Sequence, residues 1–229
     1  MKIDNIEHVF FDLDHTLWDF DRNSDLAFAS IFEVNKITVP LANFLEVYRP
    51  INFKYWKYFR ENKVTKEQLR YGRFKKSFDA LGISIDDVLI DRLSDDYIKY
   101  LPNHNFLLEG AQELLEYCAS KYQLHIITNG FEEVQETKLI KSGIKKYFKT
   151  ITTSEGAGAK KPHSAIFDLA LRTAGARPDN SVMIGDTFEA DIKGALDYGM
   201  HALFYDYHKH GFVDKVPTVD HLADLHAYL

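Results

Sequence analysis

Cysteine is nearly absent from the chain. Cys118 stands alone among 229 residues, so no intrachain disulfide can form. Its setting, Leu114-Leu-Glu-Tyr-Cys118, has the spacing of an amphipathic helix and reads as a buried, inert thiol. Basic charge is also in deficit: 28 Lys+Arg against 34 Asp+Glu give a net charge of −6. That argues against a nucleic-acid partner, which needs a basic face. It leaves room for an anionic small substrate, because a bound divalent cation reverses the local field. There is no apolar run long enough to cross a membrane, no signal-peptide pattern after Met1-Lys-Ile-Asp-Asn5, no internal repeat and no low-complexity tract. A cytoplasmic protein without membrane contact is expected. Hydrophobic residues make up 45% of the chain, which excludes disorder and suits a globular core.

The stretch His8-Val-Phe-Phe-Asp12-Leu-Asp14-His-Thr16-Leu17 organises what is present. Val9, Phe10 and Phe11 read as a short buried strand. It stops in two carboxylates one residue apart. In open α/β sheets ligands sit at the carboxyl edge of the strands. The period of two turns Asp12 and Asp14 to one side, where their charges repel unless relieved. A hard divalent cation such as Mg²⁺ relieves them and keeps waters that a phosphate can replace.

From Asp19 to Asn103 the pattern is helical throughout, with Asn23 or Ser24 placed to cap a helix over 25–35. Phe44, Val47, Tyr48 and Ile51 recur at helical spacing, and a helix over 86–100 closes the block. About four helices are expected. Beyond Leu101-Pro-Asn-His-Asn105 helix and strand alternate: helices over 110–121, 134–142, 164–174 and 190–198, and strands over 124–128, 150–153, 181–185 and 201–205. Gly143, Gly175 and Gly199 close three of these helices, the pattern of βαβ units around a parallel sheet. Thr218-Val-Asp-His-Leu222 suggests an edge strand and a last helix. The expected architecture is an α/β, Rossmann-like parallel sheet with helices on both faces, formed by 1–18 and 104–229, with an all-helical insert over 19–103.

Four strand ends carry polar groups: Asp12 and Asp14; Thr128-Asn129-Gly130; Lys160-Lys161-Pro162; and Gly185-Asp186 with Asp191. Right-handed crossovers bring all four to one sheet edge. Taken singly, each has an ordinary explanation: a helix cap at Thr128, a solvated charge at Lys161, a helix-dipole pair at Asp186 and Asp191. Together they supply what phosphoryl chemistry needs: an attacking carboxylate, a hydroxyl and backbone N–H groups for phosphoryl oxygens, a neutralising lysine and a further carboxylate for Mg²⁺.

With these motifs in this order the chain resembles the haloacid dehalogenase superfamily. Asp12-Leu-Asp14-His-Thr16 matches its first motif, Ile126-Ile-Thr128-Asn129-Gly130 its second, Lys161-Pro162 its third, and Gly185-Asp186 with Asp191 its fourth. The helical block lies where that superfamily carries a C1 cap. Gln135, Lys138 and Ser154-Glu155 extend the similarity to its pyrimidine 5′-nucleotidase group. The resemblance implies Asp12 as nucleophile and Mg²⁺ ligand, and Asp14 as general acid/base with its backbone carbonyl on the metal. It implies Thr128, Asn129, Gly130 and Lys161 as phosphate ligands, Lys161 also paired with Asp12. Asp186 would be a direct metal ligand and Asp191 an outer one. Of the doubled lysine, Lys161 is chosen because it directly precedes the proline, and Lys160 is expected in solvent. The implied substrate is a small phosphomonoester, a (deoxy)pyrimidine nucleoside monophosphate. The rivals are a phosphosugar phosphatase and a non-catalytic phospho-accepting module. A dehalogenase would have no use for an acid at Asp14. Of the insert's aromatics Tyr48, Phe53, Tyr55, Trp56, Tyr58, Phe59 and Tyr71, most are expected in the insert's own core, with one or two left to stack on a base.

Overall fold

The computed structural model describes residues 2–211 and 216–229. The chain divides into two compact units, one from residues up to Phe20 together with Asn105–Leu229, the other Asp21–His104.

The first unit is a six-stranded, all-parallel sheet. Its strands are β1 (His8–Phe11), β2 (Gln123–Thr128), β3 (Phe148–Thr153), β4 (Ser181–Gly185), β5 (His201–Tyr205) and β6 (Thr218–Val219). Their order across the sheet is β3-β2-β1-β4-β5-β6, with β1 hydrogen-bonded between β2 and β4. Strands β1 and β4 are buried along their whole length, as expected of central parallel strands covered on both faces. On one face Phe10, Ile127 and Met183 pack against Ile166, Phe167 and Ala170 and against Ile192 and Ala195. β3 begins at Phe148, two residues before the expected strand, because Phe148 already pairs with Leu124.

The helices α5 (Ala111–Ala119), α6 (Glu132–Lys141) and α8 (Ser164–Ala174) fall where periodicity placed them, and a single turn, α7 (Ser154–Ala157), follows β3. The segment expected as one helix over 190–198 is instead a π-helical turn, Phe188–Lys193, running into a short α9, Gly194–Tyr198. Such widened turns collect at functional sites, and this one carries Asp191. The last helix is a 3₁₀ segment, Leu222–Ala227. Cys118 is buried, and burial pushes its thiol up to about 12. No helix among the described residues is long and apolar enough to cross a membrane.

The second unit consists of α1 (Phe20–Val34), α2 (Leu41–Arg60), α3 (Lys66–Ala80) and α4 (Asp87–Tyr100). α1 starts earlier than expected, so Asn23 and Ser24 are not caps. Both lie inside the helix and are buried, and the Ser24 hydroxyl sits 2.8 Å from the Tyr97 hydroxyl. Asp21 in the first turn favours the early start through the helix dipole. The core is aromatic and centred on Phe28, whose ring lies 4.6 Å from Tyr48, 4.8 Å from Tyr97 and 5.2 Å from Phe44. Of the seven aromatics expected mostly in this core, only Tyr48 and Phe59 are fully buried. Phe53 is exposed and the other four are half-buried, because Phe28, Phe32, Phe44, Phe74, Phe78 and Tyr97 already fill the space. Arg73 is buried among them. One of its nitrogens donates to Asn52 Oδ1 at 3.0 Å, its guanidinium lies 4.9 Å from the Tyr97 ring centre, and Nε and Nη2 have no hydrogen-bond partner.

Candidate active site

β1 ends at Phe11, and the chain leaves the sheet in a tight loop. The Leu13 carbonyl accepts from the N–H groups of Leu17 at 3.0 Å and Trp18 at 2.9 Å. That loop separates the two aspartates that strand alternation would have left side by side. Asp12 faces Lys161, whose Nζ is 2.6 Å from Asp12 Oδ1. Asp14 faces Lys138, whose Nζ is 2.6 Å from Asp14 Oδ1. The repulsion expected between the two is therefore met by one lysine each, Lys138 and Lys161.

Carboxylate oxygens of Asp12, Asp186 and Asp191 lie within 4.8 Å of one another, and all three residues are buried. Lys161 is the cation within this group. Its Nζ donates to Asp12 Oδ1 and to the Ile127 carbonyl at 2.7 Å, and lies 2.7 Å from Asp191 Oδ1. One lysine against three buried carboxylates leaves an excess of negative charge. Burial pushes the Asp12 carboxyl up to about 8. Lys161 opposes that shift, and the charges of Asp191 and Asp186 add to it. Burial likewise lifts Asp186 to about 6, with His15 pulling the other way and Asp191 adding. Burial alone would lower Lys161, but the Asp12 and Asp191 charges outweigh it and hold the ammonium form.

This is a donor set for a hard divalent cation. Its members are not equivalent. Both oxygens of Asp191 are already engaged, Oδ1 by Lys161 and Oδ2 by the Thr187 N–H at 3.0 Å. Asp12 meets Lys161 through Oδ1, and Asp186 takes a hydroxyl from Thr16 on Oδ1 at 3.2 Å and faces His208 Nε2 with Oδ2 at 3.6 Å. Asp12 and Asp186 thus fit direct coordination, and Asp191 fits an outer position. Gly185 is required here, since a Cβ would fall 2.4 Å from Asp191 Oδ2.

Across the site Thr128 ends β2. Its hydroxyl oxygen accepts from the Gly130 N–H at 3.0 Å and from Gln135 Nε2 at 2.7 Å. With its acceptor sites used, the hydroxyl hydrogen is left to be donated to a ligand. The Gly130 N–H is itself turned to Thr128 rather than outward. The Asn129 side chain clamps the Lys161 backbone, accepting from its N–H at 2.8 Å and donating to its carbonyl at 3.1 Å. Lys160 is half-buried rather than in solvent, and burial lowers it.

Gln135 and Lys138, noted in sequence only as part of a resemblance, prove to hold Asp14. Gln135 Nε2 donates to Asp14 Oδ2 at 3.1 Å as well as to Thr128, and Lys138 Nζ sits 4.2 Å from the centre of the Trp18 ring. Both side chains are buried on α6 beside Val134 and Leu139. A glutamine and a lysine at i, i+3 on the face that carries a helix's apolar residues is the signal that could have found them. Gly130 makes room for the arrangement, because a Cβ there would fall 2.2 Å from Gln135 Nε2.

Comparison with known proteins gives the family. A family model described as haloacid dehalogenase-like hydrolase matches residues 6–199. The chain belongs to the haloacid dehalogenase-like hydrolases. This hydrolase is 30% identical to pyrimidine 5′-nucleotidase YjjG of Escherichia coli, over 95% of the chain and 94% of that protein. It is 31% identical to pyrimidine 5′-nucleotidase PynA of Streptococcus pneumoniae, over 93% and 89%. It is 32% identical to a glyceraldehyde 3-phosphate phosphatase of Methanothermobacter thermautotrophicus, over 86% and 84%. The magnesium-bound crystal structure of the HAD-hydrolase YfnB of Bacillus subtilis superposes with a TM-score of 0.87 at 27% identity, covering 97% of this chain and 98% of that one.

Proposed function

We propose that this hydrolase cleaves phosphomonoesters, preferring (deoxy)pyrimidine nucleoside 5′-monophosphates, in a Mg²⁺-dependent reaction through an aspartyl-phosphate on Asp12. The observation that carries the reading is the separation of two carboxylates into two settings, Asp12 with Lys161 in the acidic cluster and Asp14 with Lys138 outside it. Enzymes that need one carboxylate as nucleophile and another as proton carrier rely on such a difference in environment.

In this reading Asp12, Asp186 and the Asp14 backbone carbonyl would hold Mg²⁺, which would supply charge neutralisation for the phosphoryl oxygens. Asp12 Oδ2 attacks phosphorus and the ester P–O bond breaks. Asp14 gives its proton to the leaving oxygen, then takes one from the water that cleaves the acyl phosphate, so its protonation state is restored. Lys161 holds Asp12 and neutralises phosphoryl charge. Thr128 donates its hydroxyl hydrogen, and the Asn129 N–H supplies a further donor. Asp191 keeps Lys161 in place. Lys138 and Gln135 hold the Asp14 carboxylate from both oxygens.

These contacts serve the phosphoryl group, which is the same in every substrate. Selection among leaving groups is therefore assigned to the helical insert. The pyrimidine preference rests on the two nucleotidase relatives. A second reading, a small phosphosugar as substrate, is favoured by the phosphatase relative. A panel of UMP, dUMP and dTMP against sugar phosphates separates the two. Nucleoside monophosphates should lead in kcat/KM, and a sugar phosphate ahead of all of them by about tenfold, about 1.4 kcal/mol of transition-state preference, would overturn the substrate assignment. Asp12→Asn should remove turnover on every substrate while leaving the fold intact. Wild-type rates in that variant would remove the nucleophile assignment.

A further inference from the structure

Asp186 belongs to two clusters. On one side are the carboxylates of Asp12 and Asp191. On the other are two imidazoles: ring nitrogens of His15 and His208 and a carboxylate oxygen of Asp186 lie within 4.8 Å of one another. His208 Nε2 is 3.6 Å from Asp186 Oδ2. The proposed hydrolysis uses neither histidine.

The two imidazoles are held by their surroundings. His15 has φ +62°, a left-handed conformation uncommon outside glycine, and its ring packs against Phe20 at 4.9 Å, Tyr207 at 5.0 Å and His208 at 5.1 Å between centroids. The loop that carries His208 is tied back on itself. Asp206, itself buried, accepts from the N–H groups of His210 and Gly211, each at 2.8 Å. His208 therefore stands at the head of a closed turn and faces Asp186 across a short gap.

We propose that His15, Asp186 and His208 form a second cation site, for a borderline transition ion such as Zn²⁺, Co²⁺ or Ni²⁺. The donor chemistry chooses the ion. Mg²⁺ takes oxygen ligands, whereas imidazole nitrogen suits Zn²⁺, Ni²⁺ and Cu²⁺, which bind nitrogen sites in the order of the Irving–Williams series. Metal–ligand bonds of about 2.0–2.2 Å put tetrahedral donors about 3.4 Å apart, so the present spacing needs to close by an ångström or so. Two neutral imidazoles and one carboxylate leave open positions for water. Because Asp186 serves both clusters, an ion held by the histidines draws that carboxylate away from the oxygen set. Such an ion would inhibit the Mg²⁺-dependent reaction.

Binding can be read without any turnover, so this site and the proposed hydrolysis fail separately. Tag-free, chelator-treated protein is titrated with Co²⁺ while its visible d–d band is followed, and Zn²⁺ is then added in competition. Wild type and Asp12→Asn should each bind one Co²⁺ with an imidazole-ligated spectrum, displaced by Zn²⁺. His208→Ala and His15→Asn should weaken binding by about tenfold or more. Asn is chosen at position 15 because it tolerates the left-handed backbone, and His208 lies on an exposed turn where truncation spares the fold. His210→Ala, the neighbouring imidazole, should bind as wild type. Undiminished binding in either His15→Asn or His208→Ala, loss of the band in Asp12→Asn, or no stoichiometric binding by wild type would overturn the site.

Discussion

Lys138 Nζ lies 2.6 Å from Asp14 Oδ1, with 2% of the lysine side chain exposed. The ammonium is also over the Trp18 ring, so the lysine is fixed from two directions and the carboxylate is fixed through it. A displacement of about 1 Å at a reacting group can cost about 10²-fold in rate. Lys138→Met should lower kcat about 10–100-fold on substrates with alkoxide leaving groups, and less on p-nitrophenyl phosphate, whose leaving group departs without a proton. Lys138→Arg should recover part of the loss. Equal losses on both substrates would separate Lys138 from proton transfer.

On the proposed mechanism, Asp14→Asn keeps the backbone carbonyl and removes the proton carrier. General acid/base assistance is worth about 10²–10⁴-fold, and the loss should again fall mainly on poor leaving groups. Retained Mg²⁺ affinity, measured by calorimetry, would place the defect in proton transfer rather than in the metal site.

The acidic cluster makes stability depend on pH and, if it holds Mg²⁺ as proposed, on that ion as well. Asp12 and Asp186 are raised in the folded protein to about 8 and about 6 from an ordinary 3.8. The metal-free folded state therefore holds protons that the unfolded chain has released. Its stability from these groups is complete below about pH 4 and declines as pH rises through about 6 and then about 8. On the proposed reading, Mg²⁺ bound among these carboxylates would take over the role of those protons. The gain in Tm on adding Mg²⁺ should be larger at about pH 8 than at about pH 5.5. An equal gain at both would show that the cation does not bind among these carboxylates.

A second titration runs the other way. His125 lies buried in β2, its Nε2 3.1 Å from His8 Nδ1 and its Nδ1 2.8 Å from the Thr150 hydroxyl. Burial lowers it to about 4, with His8 acting in the same direction. A histidine lowered on folding weakens the protein as pH falls through the unfolded value of 6.5 towards 4, by about 3 kcal/mol when complete. His125→Gln should flatten the acid limb of a Tm–pH curve, and an unchanged limb would assign it to other groups.

Arg73 is a buried cation whose hydrogen-bonding side-chain partner is the neutral Asn52, with two guanidinium nitrogens unsatisfied. Replacing buried ionic groups by apolar side chains of similar size often stabilises a protein by about 1–4 kcal/mol. Arg73→Met should raise the unfolding midpoint in denaturant. A loss of about 2 kcal/mol or more would show that the stacking on Tyr97 outweighs desolvation.

The sheet was legible because its strands are apolar runs closed by polar residues, and three of its helices end in glycine. Val9–Phe11 and Ser181–Gly185 could hardly be anything else. The acidic cluster was legible for the same reason, since strand ends converge on one edge. What the sequence concealed is local backbone geometry. Strand alternation put Asp12 and Asp14 on one side, and the turn around the Leu13 carbonyl parts them. Periodicity drew one helix over 190–198, but a π-turn there leaves no trace in side-chain spacing. Lys138 and Gln135 were visible as residues and not as partners of Asp14, because their contacts cross more than 120 positions of chain.

The two connectors to the helical insert meet inside the sheet unit. The Asp19 N–H donates to the Phe106 carbonyl at 3.0 Å and the Leu108 N–H to the Leu17 carbonyl at 2.9 Å, with Trp18 and Leu107 bridged antiparallel. The insert thus leaves and returns through a closed collar whose width does not depend on what lies beyond it. Since loop-closure entropy grows only slowly with length, such a collar accepts inserts of very different size at little cost to the sheet. The helical unit is a cassette in this sense: a short hairpin joining Asp19 to Phe106 could take its place, and on the proposed reading the core left behind would act on p-nitrophenyl phosphate without discriminating among nucleotides.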